Sequence, residues 1–160
     1  MKISGTYLGT FVSILLFLPS LAFSLPSQVY SAGEKMVVVD PRSHEWGAYD
    51  ASGRLIRSGL ASAGADYCKD VGRPCRTSTG SFRVRSLGSK NCVSPSFPLG
   101  KGGAPMNYCM YFTPYQALHG SNDVRRANIS HGCVRLRVSD AAWLRFNFVN
   151  IGTLVVIQSY

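Results

Sequence analysis

Short apolar segments separated by turn residues are the feature that most limits how this chain can fold. Met36-Val37-Val38-Val39 is a β-branched run that ends at Asp40-Pro41, and residues 153–157 form a similar run near the C-terminus. Runs of this kind, bounded by turn residues, are typical of strands. Further strands are predicted at residues 44–49, 54–60, 81–86, 106–113 and 116–119, with loops at 61–80 and 87–105.

One segment predicts a helix. Ser139 is a suitable N-cap, and the chain from there to about Phe148 carries Trp143, Leu144 and Phe146 on one side. Many short strands with a single short C-terminal helix predict a mainly β domain, either a sandwich or a barrel.

The N-terminus predicts a secretory signal peptide over residues 1–24. Lys2 supplies the positive charge, Leu8 to Leu21 is apolar, and Ala22-Phe23-Ser24 places small residues where a signal peptidase cleaves. The alternative is an uncleaved anchor, but a proline and a serine interrupt the run, which is short for a membrane span. We therefore expect an exported protein, periplasmic or extracellular, without stable membrane insertion after cleavage. Residues 25–34 are expected to be a polar lead-in and residues 35–160 a single domain.

The charge balance is basic, with a formal net charge of +9. Such a balance suggests an anionic partner, although it also serves solubility. The arginines are scattered, without a Lys/Arg run or a nucleic-acid-binding motif, so we expect no nucleic-acid partner. An acidic cell-wall polymer fits an exported basic protein better.

The stretch Ser130-His131-Gly132-Cys133-Val134-Arg135 is the strongest candidate for a functional site. Thiol catalysis needs a thiolate, a base and N–H donors for an oxyanion, and Cys133, a histidine and the N–H groups of Gly132 and Cys133 supply them. One alternative is an inert buried Cys133. Another is a zinc set of His119, His131 and Cys133, but it lacks a fourth ligand and the usual spacings, so we expect no metal.

The chain has five cysteines, an odd number for an exported protein. A nucleophilic Cys133 must be free. The simplest pairing of the other four is Cys68–Cys75 with Cys92–Cys109, one of the three pairings that four cysteines allow.

A family resemblance strengthens this interpretation. His119-Gly120-Ser121 followed by Ser130-His131-Gly132-Cys133-Val134-Arg135-Leu136 resembles the L,D-transpeptidases, the YkuD-type catalytic domain of bacterial cell-wall enzymes. Residues 77–82 resemble the family's Thr-Pro-Thr-Gly-x-Phe segment, with Ser78 in place of the proline. The resemblance covers residues 35–158 and implies a two-sheet β-sandwich with the catalytic loop at one end.

The motif and the local chemistry together predict the catalytic pair. Cys133 is the expected nucleophile and His119 the expected base, because His119 stands at a strand end before Gly120, whose carbonyl can fix the imidazole tautomer. A protonated His119 paired with Cys133 is expected to stabilise the thiolate.

The remaining site residues have supporting roles in this interpretation. His131 and Gly132 are expected to shape the oxyanion region. Arg135 is expected to bind a substrate carboxylate or, alternatively, to brace the loop. Ser130 and Tyr111 are the other candidates for substrate contact, and Tyr108 and Tyr115 are possible pocket walls if they do not simply pack in the core.

The resemblance also implies a reaction. The cysteine attacks the third residue of a peptidoglycan stem tetrapeptide, the terminal D-alanine leaves, and an amine of another stem peptide resolves the thioester into a 3→3 crosslink. No cofactor is expected, and a carbapenem should acylate the same cysteine. Two rivals remain: an L,D-carboxypeptidase that uses water as the acceptor, and a catalytically silent wall-binding protein.

Overall fold

The structure is a computed structural model that describes residues 25–160, so the predicted signal peptide lies outside the described residues. Within this range the chain forms nine short strands and one α-helix that continues into a π-helical turn. The elements are β1 (Met36–Asp40), β2 (Glu45–Tyr49), β3 (Leu55–Ser62), β4 (Gly80–Arg83), β5 (Ser86–Leu87), β6 (Asn107–Tyr111), β7 (Ala117–Ser121), β8 (Val134–Arg137), α1 (Val138–Trp143), the π-helical turn (Leu144–Phe148) and β9 (Leu154–Ile157). The prediction of a mainly β domain with one short C-terminal helix is confirmed.

The strands form one continuous order, β4-β9-β1-β2-β3-β8-β7-β6-β5. Strand β3 joins two halves of this order, one with β4, β9, β1 and β2 and the other with β8, β7, β6 and β5. Its residues 55–60 pair with β2, while Ala61 and Ser62 pair with β8. Most neighbours are antiparallel, but β1 with β9 and β7 with β8 are parallel. The two halves of this strand order are therefore linked through a shared strand.

The main hydrophobic core takes side chains from both halves. Val37 and Trp46 from one half pack in the same buried cluster as Met110 and Leu136 from the other, and Leu144 closes it. The alternate residues of β1, Met36 and Val38, belong to a second cluster on its other face. Strand β1 is thus buried on both faces, which explains its continuous apolar sequence.

The lead-in packs on the domain more closely than the sequence predicts. Leu25 is buried in the second cluster, and the Tyr49 hydroxyl donates a hydrogen bond to the Pro26 carbonyl at 2.8 Å. Gln28 forms a β-bridge with Arg54. Residues 25–34 therefore contribute to the fold of the domain.

The predicted strand 81–86 is wrong as a single element. Strand β4 pairs with β9, whereas β5 pairs with β6 in the other half. Val84 is fully buried between them, and the N–H groups of Val84 and Arg85 bond to opposite halves, to Thr153 and Tyr111. The chain crosses from one half to the other at this point, which breaks the strand.

Two details of the predicted helix also need correction. The helix begins at Val138 after Arg137, and no side chain caps it, so Ser139 is not the N-cap. Phe146 lies in the π-helical turn and is 69 % exposed, so it is not on the apolar side as predicted, while Leu144 stays buried. None of the helices in residues 25–160 is long and apolar enough to span a bilayer.

Candidate active site

The parallel pairing of β7 with β8 brings the predicted catalytic residues to one face. Leu118 pairs with Val134, and His119 pairs with Arg135. Leu118 and Val134 are fully buried in the main core. Because side chains alternate between faces along a strand, His119 and Arg135 point to the opposite face, and so does Cys133, which directly precedes β8.

Cys133 is the free cysteine of the described residues. It packs at the edge of a small buried cluster that contains Ala117 and Tyr111, and its Sγ lies 3.9 Å from the Tyr115 carbonyl oxygen. Burial raises the pKa of the Cys133 thiol, against the smaller opposing effects of a hydrogen bond from the Ala117 backbone and the charge on Arg135. The thiol is therefore protonated at neutral pH and needs a base to become a nucleophile.

His119 is 6 % exposed, and its Nδ1 lies 3.0 Å from the Gly120 carbonyl oxygen. A carbonyl only accepts hydrogen bonds, so Nδ1 carries the proton and Nε2 is left as the acceptor. Burial lowers the pKa of His119 to about 4, the Gly120 carbonyl opposes this, and the charge on Arg135 lowers the pKa further. The contact with Gly120 is the one that the sequence predicts.

These two shifts bear on the expected thiolate–imidazolium pair. Burial disfavours the charged form of each group, so the pKa of Cys133 rises while that of His119 falls. Both shifts favour the neutral forms near pH 7, a thiol and an imidazole. The thiolate–imidazolium pair expected from the sequence is not the form that this environment favours.

The buried His119 predicts a pH-dependent stability. An unfolded histidine binds a proton below pH 6.5, whereas His119 in the folded protein does so only near pH 4, so its contribution is present above 6.5 and is lost as the pH falls toward 4. The loss amounts to about 3 kcal/mol of unfolding free energy. The unfolding free energy, measured by urea unfolding at pH 7 and at pH 4, should fall between these two pH values by about 3 kcal/mol more for the parent protein than for His119→Gln. Parallel curves for the two proteins would contradict this environment for His119.

The loop before Cys133 is held by its own hydrogen bonds. Ser130 is 2 % exposed, and its hydroxyl donates to the Cys133 carbonyl and accepts the Gly132 N–H at 3.1 Å. Gly132 has φ +119°, which only glycine adopts without strain. The Gly132 N–H therefore already has an acceptor inside the loop, which disfavours its expected role as an oxyanion donor. Ser130, which the sequence offers as a candidate for substrate contact, has both of these hydrogen bonds within the loop and is buried.

Thr77 braces the same loop, a role that the sequence did not assign to it. Its Oγ1 donates to the Gly132 carbonyl at 2.8 Å and accepts the Gly64 N–H at 3.0 Å. The Tyr160 hydroxyl accepts the Thr77 N–H at 2.8 Å and donates to the Gly64 carbonyl at 2.9 Å. The available signal was the position of Thr77 at the start of the Thr-Ser-Thr-Gly segment.

The side chain of His131 contacts residues of two other loops. Its Nε2 lies 2.8 Å from Oδ2 of Asp70, and its ring stacks on Phe97 with centroids 4.2 Å apart. Cys68, Asp70 and His131 place possible metal-ligand atoms close together, but the sulfur of Cys68 is bonded to Cys75. The side chain of His131 thus positions the loop.

Arg135 and Tyr111 complete the polar surroundings of the sulfur. Arg135 Nη1 lies 3.1 Å from Oδ2 of Asp123, and 23 % of its side chain is exposed. The salt bridge matches the bracing role that the sequence left open. Burial, with the nearby Cys133 as a lesser cause, raises the pKa of Tyr111, so its phenol stays neutral and can donate a hydrogen bond.

An open cleft of about 390 Å³ lies beside the catalytic loop. Gln116, which the sequence did not single out, lines it: its Oε1 accepts the Ser78 N–H at 3.1 Å, and its Nε2 lies 3.2 Å from where a Cβ on Gly132 would stand. The other lining side chains include Arg73, Arg76, Phe97, Tyr115 and His131. Tyr115, whose carbonyl oxygen lies 3.9 Å from Sγ of Cys133, connects this cleft to the sulfur.

Both preferred disulfides are present, which confirms the predicted pairing. Cys68 is bonded to Cys75, and Cys92 to Cys109. The first closes a loop whose Asp70 contacts His131. The second belongs to the small cluster against which Cys133 packs. Each cross-link therefore supports one side of the candidate site.

Comparisons with known proteins agree on one family. The YkuD L,D-transpeptidase catalytic domain matches residues 34–157, whereas a comparison with curated protein sequences gave no significant match. The fold resembles an L,D-transpeptidase from Xylanimonas cellulosilytica at 27 % identity and a TM-score of 0.68, covering 82 % of this chain and 63 % of that one. It also resembles an L,D-transpeptidase from Mycobacterium smegmatis at 22 % identity and a TM-score of 0.64, covering 79 % and 59 %.

A third similar structure is L,D-transpeptidase 3 from Mycobacterium tuberculosis in complex with a faropenem-derived adduct, at 21 % identity and a TM-score of 0.61, covering 78 % of this chain and 60 % of that one. The chain thus spans about three fifths of the length of these structures. Since the family match extends over most of the chain, the protein belongs to the YkuD family of L,D-transpeptidase catalytic domains.

Proposed function

We propose that this protein is a cysteine-dependent L,D-transpeptidase that acts on the stem peptides of peptidoglycan. The observation that carries the proposal is the placement of Cys133, His119 and Arg135 on one face of β7 and β8, beside an open cleft. Membership of the YkuD family supports the same activity. Two disulfides fit an oxidising compartment, which supports export to the periplasm or beyond.

The first half of the reaction forms a thioester. Nε2 of His119 accepts the thiol proton while Sγ of Cys133 attacks the carbonyl carbon of the third stem residue. The tetrahedral intermediate collapses, the C–N bond to the terminal D-alanine breaks, and His119 returns the proton to the leaving amine. A neutral His119 suits this role, because an imidazolium could not accept the thiol proton.

The second half transfers the acyl group to an acceptor. An amine of another stem peptide attacks the thioester carbonyl and loses a proton to His119, and the thiol is restored as the 3→3 amide bond forms. Water in place of the amine would give the L,D-carboxypeptidase reaction.

Stabilisation of the oxyanion is assigned to groups around the loop. Since the Gly132 N–H is used by Ser130, we assign the Cys133 N–H as the backbone donor and the side-chain amide of Gln116 as the second. The neutral phenol of Tyr111 is a further donor near the sulfur. Arg135 contributes positive charge on the same face, and Ser130 and His131 hold the loop in place.

A product analysis tests the proposed reaction. Purified protein lacking residues 1–24, incubated with a stem tetrapeptide, should release D-alanine and form a dimer with the mass of a 3→3 crosslink. Formation of tripeptide alone would favour the carboxypeptidase. Binding without any product would favour the silent wall-binding protein and contradict the proposal. The Cys133→Ala variant, which lacks the thiol, is the negative control.

A further inference from the structure

One wall of the cleft is a short loop closed by the Cys68–Cys75 disulfide. Arg73 lies in this loop, its exposed side chain lines the cleft, and its carbonyl accepts the Cys68 N–H at 3.0 Å. The disulfide and this hydrogen bond fix the backbone that carries the guanidinium. The point from which the guanidinium extends is thus fixed beside the cleft before any ligand binds.

The other charges around the cleft are already paired. His131 contacts Asp70, and Nε of Arg76 lies 2.7 Å from Oδ1 of Asp66. Arg73, in contrast, has no acidic partner among residues 25–160. The cleft therefore carries one uncompensated guanidinium, and no acid next to Arg73 would have to be displaced by an anionic ligand.

We propose that Arg73 binds a free carboxylate of the donor stem peptide, and so contributes to selection of the substrate. The inference rests on the proposed function, because it takes a stem peptide as the ligand. A guanidinium binds a carboxylate through two parallel hydrogen bonds, which suits recognition of a planar anion at the edge of an open cleft. A peptide attached to Cys133 would pass Tyr115 and His131 and reach the wall that carries Arg73.

Binding in the Cys133→Ala background tests this without turnover. Calorimetry would measure the Kd of a stem tetrapeptide, and of versions amidated at one carboxylate at a time, for proteins with and without Arg73→Gln. Loss of the contact should raise the Kd about tenfold. Arg73→Lys should recover part of the affinity. Lys69→Gln is the matched control, since Lys69 is exposed in the same loop but does not line the cleft.

The pattern across peptides identifies the contact. Amidation of the recognised carboxylate should weaken binding to the Arg73 protein about tenfold, and should have no further effect in Arg73→Gln. An unchanged Kd for Arg73→Gln, or equal losses for every peptide, would overturn the inference, and so would an absence of peptide binding. If binding depends on Arg73 but no D-alanine is released by the parent protein, the proposed reaction fails while the inference stands. If the parent protein releases D-alanine but Arg73→Gln leaves the Kd unchanged, the inference fails while the proposed reaction stands.

Discussion

Cys133→Ser is expected to lose acyl transfer by about 10⁴-fold or more. A serine hydroxyl is far harder to deprotonate than a thiol, and Cys133 is the free cysteine of the described residues. The fold should persist, because Cys133 is partly exposed and lies outside the main core. The rate of D-alanine release from a stem tetrapeptide measures the effect, and circular dichroism checks the fold.

A carbapenem offers a second measurement on the same variant. If Cys133 attacks acyl groups, the parent protein should gain the mass of one β-lactam, and Cys133→Ser should gain none. The faropenem-derived adduct in the structurally similar Mycobacterium tuberculosis protein supports the choice of reagent. A variant that retains either activity would contradict Cys133 as the nucleophile.

His119→Gln is expected to slow acylation by roughly 10²–10⁴-fold, the usual effect of a positioned base. Glutamine keeps a neutral polar group of similar size but cannot accept the thiol proton. Since the pKa of His119 is about 4, acylation by the parent protein should stay nearly constant between pH 5.5 and 8 instead of falling below pH 6.5. Stopped-flow acylation with a carbapenem across this range measures both effects.

His131→Gln is the matched control, because its side chain contacts Asp70 and Phe97. It should cost less than His119→Gln and leave the pH profile unchanged. A larger loss for His131→Gln, together with a normal rate for His119→Gln, would show that the base has been assigned to the wrong histidine.

Local sequence patterns predicted the strands of the core well. Residues 36–39 lie in β1, residues 154–157 of the predicted strand 153–157 form β9, and the predicted strands 44–49 and 54–60 correspond to β2 and β3. What local pattern cannot show is where the chain changes sheets. The crossing at Val84 and the exposure of Phe146 in the π-helical turn both depend on tertiary packing.

In the candidate site, too, local patterns predict some features, while others depend on tertiary packing. Cys133 and His119 could be predicted because their motifs are local, and the parallel register of β7 and β8 places them on one face. The contact between Asp70 and His131 joins residues 61 positions apart, so no local pattern reveals it. Burial, which sets the two pKa shifts, is likewise a property of the packed domain, and it favours the neutral forms of both groups over the expected ion pair.

The most direct test of the proposed activity is the mass of the protein after brief reaction with a stem tetrapeptide alone, quenched in acid and followed by peptide mapping. The proposal predicts one adduct, the tetrapeptide minus D-alanine, on the peptide that contains Cys133, with one D-alanine released for each protein labelled. Release of D-alanine without modification of Cys133, or an adduct on another residue, would contradict it.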